Sequence, residues 1–165
     1  MTFGWFVSRF SMHRWADDIP DLISDDKSAA LLKKIRPFEQ ILWDVLRKEN
    51  EITSSIRPKA KEILVHGHCH QKSIFGMDAV KSIFALWPDI RYTEIDSGCC
   101  GMAGSFGYEA NHYDLSRKMA ERVLIPTIEE HPDAMVIANG FSCRHQIADF
   151  SKRKAVHIAE AFDIL

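Results

Sequence analysis

From Glu62 onward, hydrophobic and polar positions fall into short β-branched runs that alternate with stretches of helical spacing. EILVH (Glu62 to His66), RYTEI (Arg91 to Ile95), AMVIA (Ala134 to Ala138) and a brief AVH (Ala155 to His157) read as strands. Between the first two, Ile74, Met77, Val80, Ile83, Phe84 and Trp87 recur on helical spacing as far as Pro88, which cannot continue a helix. Between the second and third, Tyr113 to Val123 is helical in pattern and Pro126 can start a further helix. Such alternation predicts an α/β fold, a small parallel sheet of about four strands with helices on both faces.

Upstream the pattern differs. As far as Asn50 no strand-like run occurs, and Phe38, Ile41, Leu42, Val45 and Leu46 follow Pro37 as the apolar stripe of an amphipathic helix. Thr53 to Lys61, with Ser54, Ser55 and Pro58, reads as a linker. The expected organisation is a helical N-terminal segment and linker over 1–60 and an α/β domain over 61–165. At 165 residues one core suffices, since a 150-residue domain already buries about 68–70% of its unfolded surface.

Composition narrows the function. A formal charge of −2 gives no electrostatic footprint for nucleic acid or an anionic membrane. No apolar run approaches the roughly 18 residues that span a bilayer, and Gly4, Ser8 and Arg9 interrupt the opening before a signal-peptide core can form. A cytoplasmic location is expected, peripheral to a membrane only through partners.

The four cysteines change the picture most. Cys69 lies just past the first expected strand, Cys99 and Cys100 past the second, and Cys143 past the third. Parallel strands all point the same way, so these thiols are expected to converge on the carboxyl edge where ligands of open α/β sheets bind. The vicinal pair does not close an ordinary disulfide without strain, and the set is too small and uneven for a secreted disulfide framework. Metal or redox chemistry is the expectation.

In DSGCCGMAGSFG (Asp96 to Gly107), Gly98, Gly101, Gly104 and Gly107 are expected to let backbone N–H groups approach an anionic centre, helped by a helix starting near Ser105. The spacing is not GxGxxG, and neither GKS nor GKT occurs, which disfavours a nucleotide phosphate. The cysteine spacing also differs from the CxxC pairs of zinc ribbons and from the bacterial ferredoxin run. An iron–sulfur cluster, a structural mononuclear zinc or iron site, and a metal-free thiol-redox or interaction domain all remain open at this point.

HGHCHQK (His66 to Lys72), DSGCCGMAGSFGYE (Asp96 to Glu109) and NGFSCRHQI (Asn139 to Ile147) resemble the cysteine-rich CCG domain. That domain occurs in the iron–sulfur parts of FAD-linked 2-hydroxyacid dehydrogenases, glycolate oxidase, anaerobic glycerol-3-phosphate dehydrogenase and heterodisulfide reductase. The likeness runs from about Asp17 to the end and is strongest to the C-terminal end of fused flavin and iron–sulfur dehydrogenases of D-lactate or D-2-hydroxyglutarate. It implies an electron-transfer module in which Cys69, Cys99, Cys100 and Cys143 ligate a cluster that accepts electrons from FAD. The first cysteine of the family's final CxxC is Gly140 here. Four thiols suit a single 4Fe–4S cluster, of a kind lost on aerobic purification. The resemblance places FAD on a separate domain or partner flavoprotein, leaves self-association open, and implies a chain that is not catalytic alone. With no flavin domain, no ferredoxin-like segment and one CCG copy, the chain is expected to be a C-terminal piece or a subunit of a larger enzyme.

Other candidates surround the cysteines. His66, His68 and His70 alternate about Cys69, which in an extended segment would put the imidazoles on one side and the thiol on the other. His68 and His70 are candidates to contact the cluster, flavin or substrate or to replace a ligand, and Gly101 and Gly104 to admit the cluster. Arg144 and His145 follow Cys143 at an apparent helix start, where a cation offsets cluster charge or holds a substrate carboxylate. Glu109, His112 and Tyr113 are expected to be structural, and Trp5, Phe6, Phe10 and Trp15 to pack on the sheet.

Overall fold

The computed structural model describes residues 34–102 and 106–165. Trp5, Phe6, Phe10, Trp15, Gly104 and the helix start expected at Ser105 lie outside the described residues. The first elements are α1 (Phe38–Leu46), α2 (Asn50–Ser55), β1 (Ile56–Pro58), β2 (Glu62–His66), α3 (Cys69–Ile74), α4 (Asp78–Phe84) and β3 (Arg91–Glu94). A 3-10 turn (Phe106–Tyr108) precedes α5 (Tyr113–Glu121), α6 (Leu124–Glu130), β4 (Met135–Ala138), α7 (Phe141–Ser151) and β5 (Ala155–Val156). A second 3-10 turn (Ile158–Glu160) leads into β6 (Phe162–Ile164).

The β-branched runs form a four-stranded sheet in the order β3-β2-β4-β5, with every pairing parallel. Leu64 in the centre of β2 stands beside Thr93 of β3 and Val136 of β4. The two faces sort by alternation. Ile63, Val65 and Ile137 pack with Leu46 of α1, with Val80, Ile83 and Phe84 of α4, and with Ile158. Leu64, Val136, Ala138 and Ala155 face the other way, against α5, α6 and α7 through Ala120, Leu124, Ile128, Cys143 and Ile147. Burial on both faces is why β2 and β4 read as continuous apolar runs rather than alternating ones. The fold is the expected α/β sheet with helices on both sides. No helix among the described residues is long and apolar enough to cross a membrane.

Two segments differ from the sequence reading. The helical stretch before Pro88 is two helices, α3 and α4, because the chain turns at Gly76, which takes φ 71°. Thr53 to Lys61, read as a linker, instead completes α2 and forms β1. Thr53 Oγ1 donates to the Leu46 carbonyl at 2.8 Å and Ser55 Oγ to the Glu51 carbonyl at 2.6 Å, so hydroxyls that mark a loop close a short helix here. β1 pairs antiparallel with β6, with Ile56 opposite Ile164 and Pro58 opposite Phe162. The partner strand lies at the far end of the chain, beyond the reach of any local pattern.

Candidate functional site

Each cysteine sits where the chain leaves a strand. β2 ends at His66, and Cys69 begins α3 shortly afterwards. After β3, Ile95 extends the pairing through its N–H to the Val65 carbonyl at 2.9 Å, and the chain then enters the loop that holds Cys99 and Cys100. β4 ends at Ala138, and Cys143 lies in the first turn of α7. The parallel sheet delivers all of these thiols to one edge.

There each thiol acts electrostatically on the next, Cys69 with Cys99, Cys99 with Cys100 and Cys100 with Cys143, and all four are free of disulfides. Cys99 is exposed, Cys69 half-buried, and Cys100 and Cys143 buried. The Cys143 thiol donates to Cys100 and, with backbone N–H groups, pulls the Cys100 thiol down to about 6 against the opposing effect of burial. Cys143, the donor in that bond and itself buried, is pushed well above the ordinary thiol value. Burial first, and then Cys99, raises Cys69. The row thus holds one readily formed thiolate, Cys100, between thiols at Cys69 and Cys143 that are harder to ionise. Among the described residues, no three His, Cys, Asp or Glu side chains stand as the ligands of a single metal ion.

The loop is held from behind. Gly101 takes φ 68°, and its N–H points at Cys99 Sγ at 3.3 Å. A side chain there would be strained by that φ and would also meet Met119 Sδ at 2.6 Å. Gln146 on α7 and Ser116 on α5, both fully buried, grip the Cys100 carbonyl. Gln146 Nε2 also reaches the Ser116 carbonyl at 3.1 Å and Ser116 Oγ at 2.9 Å. Sequence reading missed this pair, because a lone Gln and a lone Ser on two helices carry no spacing signal. Gln146→Met preserves length but removes Nε2 and its bonds, leaving Ser116 Oγ alone on the Cys100 carbonyl. It is expected to cost about 1–3 kcal/mol and to speed alkylation of Cys99, measured by thermal unfolding and timed thiol labelling; unchanged labelling would mean that the loop holds itself.

The remaining candidates separate by position. His66 is buried in β2 with Nδ1 2.7 Å from Ser97 Oγ. The expected alternation of three imidazoles ends at His68, since α3 begins at Cys69 and the segment is no longer extended. His68 and His70 are half-buried, with their rings edge to face at 5.4 Å. Arg144 turns back and donates to the Ala138 and Asn139 carbonyls, both at 2.8 Å, closing the end of β4. His145 is exposed beside Phe141, with ring centroids 4.1 Å apart. Tyr113 Oη donates to Asp149 at 2.8 Å, and His112 pairs with Glu109 at 3.1 Å. A recess of about 470 Å³, lined by Met102, Tyr108, Tyr113, His145, Gln146 and Phe150 among others, opens on the side of the Cys100 loop.

An edge of this kind, with thiols delivered by three strands of a parallel sheet, belongs to a chain whose sequence is similar to dehydrogenases and to one component of a dehydrogenase built from several chains. Over 145 residues, 86% of the chain, it is 24% identical to a subunit of the anaerobic glycerol-3-phosphate dehydrogenase of Escherichia coli K12, and it spans 35% of that protein. Over 64 residues, 39% of the chain, it is 36% identical to the D-2-hydroxyglutarate dehydrogenase of Pseudomonas putida, spanning 6% of it. Over 87 residues, 49% of the chain, it is 30% identical to the Escherichia coli K12 D-2-hydroxyglutarate dehydrogenase, spanning 8% of it. No family model and no solved structure matches the chain.

Proposed function

We propose that this chain is the iron–sulfur electron-transfer module of a flavin-dependent 2-hydroxyacid dehydrogenase. The observation that carries the reading is the unbroken run of four thiols at the carboxyl edge, graded from exposed Cys99 to buried Cys143. A donor set made of sulfur alone, around a thiol already inclined to ionise, suits iron–sulfur ligation in chemistry and placement. Cys69, Cys99, Cys100 and Cys143 would be the ligands. A cluster bound there supplies one-electron chemistry, reached from outside through Cys99.

The protein's own part is to hold and shield. Cys69 and Cys143, whose thiols are pushed up, would give up protons on ligation, whereas Cys100, with Cys143 beside it, is inclined to do so near pH 6 before any metal arrives. Gln146 and Ser116 fix the Cys100 backbone, and the buried flank of the site lowers the local dielectric. Residues 61–165 carry the module, with α1 bracing the face opposite α7. FAD and hydroxyacid oxidation reside on a separate domain or a flavoprotein partner, with His70, Arg144 and His145 near the surface that meets it. The dehydrogenase subunit among the relatives makes a partner in trans a natural arrangement.

Anaerobic reconstitution with iron and sulfide tests the reading. Wild-type protein is expected to gain broad visible absorption with acid-labile sulfide, and Cys99→Ser and Cys143→Ser to lose most of both. Wild-type protein that stays colourless and instead binds zinc stoichiometrically would sink it.

A further inference from the structure

Gly140 is an N-cap residue at φ −69° and ψ 131°, backbone that any amino acid adopts. Its lack of a side chain is therefore a matter of space, and two groups fill that space. A Cβ at 140 would stand 2.4 Å from His68 Cδ2, 3.1 Å from His68 Cγ and 2.9 Å from Cys143 Sγ. The imidazole of His68 and the sulfur of Cys143 thus flank the same point above the Gly140 backbone.

His68 also directly precedes Cys69, the other end of the sulfur chain. Starting from Cys69, the thiols run through Cys99 and Cys100 to Cys143. The ring of His68 thus stands beside the last sulfur of the chain, on the residue that directly precedes the first. It is half-buried and braced against His70. Any side chain at 140 would push it out.

We propose, on the reading of the thiols as cluster ligands, that His68 is a fifth donor which closes the sulfur chain through a ring nitrogen. Imidazole suits iron beside thiolates, and as a neutral donor it adds no negative charge to a site that already gathers four sulfurs. Replacing thiolate by imidazole raises the potential of an iron–sulfur centre. The imidazole of His68 would therefore hold this centre at a higher potential than a thiolate at the same position would.

The test uses the full chain with nitrogen-15-labelled histidine, reconstituted with iron and sulfide, reduced, and examined by pulsed EPR. Wild-type protein is expected to show the coupling of a directly bound nitrogen. His68→Ala and the milder His68→Gln should lose that coupling, as should Gly140→Ala, which displaces the ring without removing it; His70→Ala should keep it. His68→Cys should shift the potential downward. Wild-type protein that holds iron and sulfide but shows no bound nitrogen would overturn the inference and leave the electron-transfer reading standing, and coupling that survives in folded His68→Ala does the same. Failure of wild-type protein to take up sulfide at all overturns both.

Discussion

Phe84→Ala is expected to lower the stability of this protein by about 3–5 kcal/mol. Phe84 is 1% exposed and points from α4 onto the sheet face formed by Ile63, Val65 and Ile137. Its ring stacks on Phe162 of β6, with centroids 5.7 Å apart and planes 8° apart, and on Tyr92 of β3 at 5.8 Å. Truncation removes the transfer energy of a whole aromatic ring, leaves a cavity between three elements and forfeits both ring pairs. For a domain of this size the melting temperature should fall by roughly 6–20 °C. Phe84→Leu should recover more than half. A loss below about 1 kcal/mol would mean that α4 and β6 close the gap.

Acid should act through His66. Burial, reinforced by the charges of Lys72 and His68, pushes its imidazole from 6.5 down to about 4. Between those values the unfolded chain binds a proton that the folded chain refuses, so stability is lost as pH falls from 6.5 to about 4. The full effect is about 3 kcal/mol. Cys100 acts with the same sign in the adjoining window: its thiol ionises at about 6 when folded and at about 8.5 when unfolded, so its contribution is lost as pH falls through 6. Urea unfolding of metal-free wild-type and His66→Gln protein across this range isolates the histidine. The difference between them should shrink from its value at pH 7 by about 3 kcal/mol as the solution is acidified to pH 4; parallel curves would show that His66 is protonated in the fold.

The strands and the converging edge were legible because burial on both faces leaves only β-branched and apolar residues at Ile63, Leu64, Val136 and Ile137. Direction followed from the helices between them, and direction alone sent Cys69, Cys99, Cys100 and Cys143 to one end. Residues acting across long sequence gaps were not legible. β1 depends on β6, Gln146 on Cys100 and Ser116, and the space above Gly140 on a histidine from another loop. Arg144 was legible as a cation beside Cys143, but not as the side chain that closes the end of β4, since its acceptors are backbone carbonyls. The alternating histidines failed for a local reason, a helix that starts one residue sooner than an extended segment would allow.

The flanks of the sheet have a consequence of their own. On one side β3 presents the exposed charges of Arg91 and Glu94, and on the other β5 is only two residues long. Short strands and charged side chains are how sheets resist lateral pairing with other chains. Neither border invites a foreign strand, so visitors are turned away from the sides and received at the strand tips, where the sulfurs are.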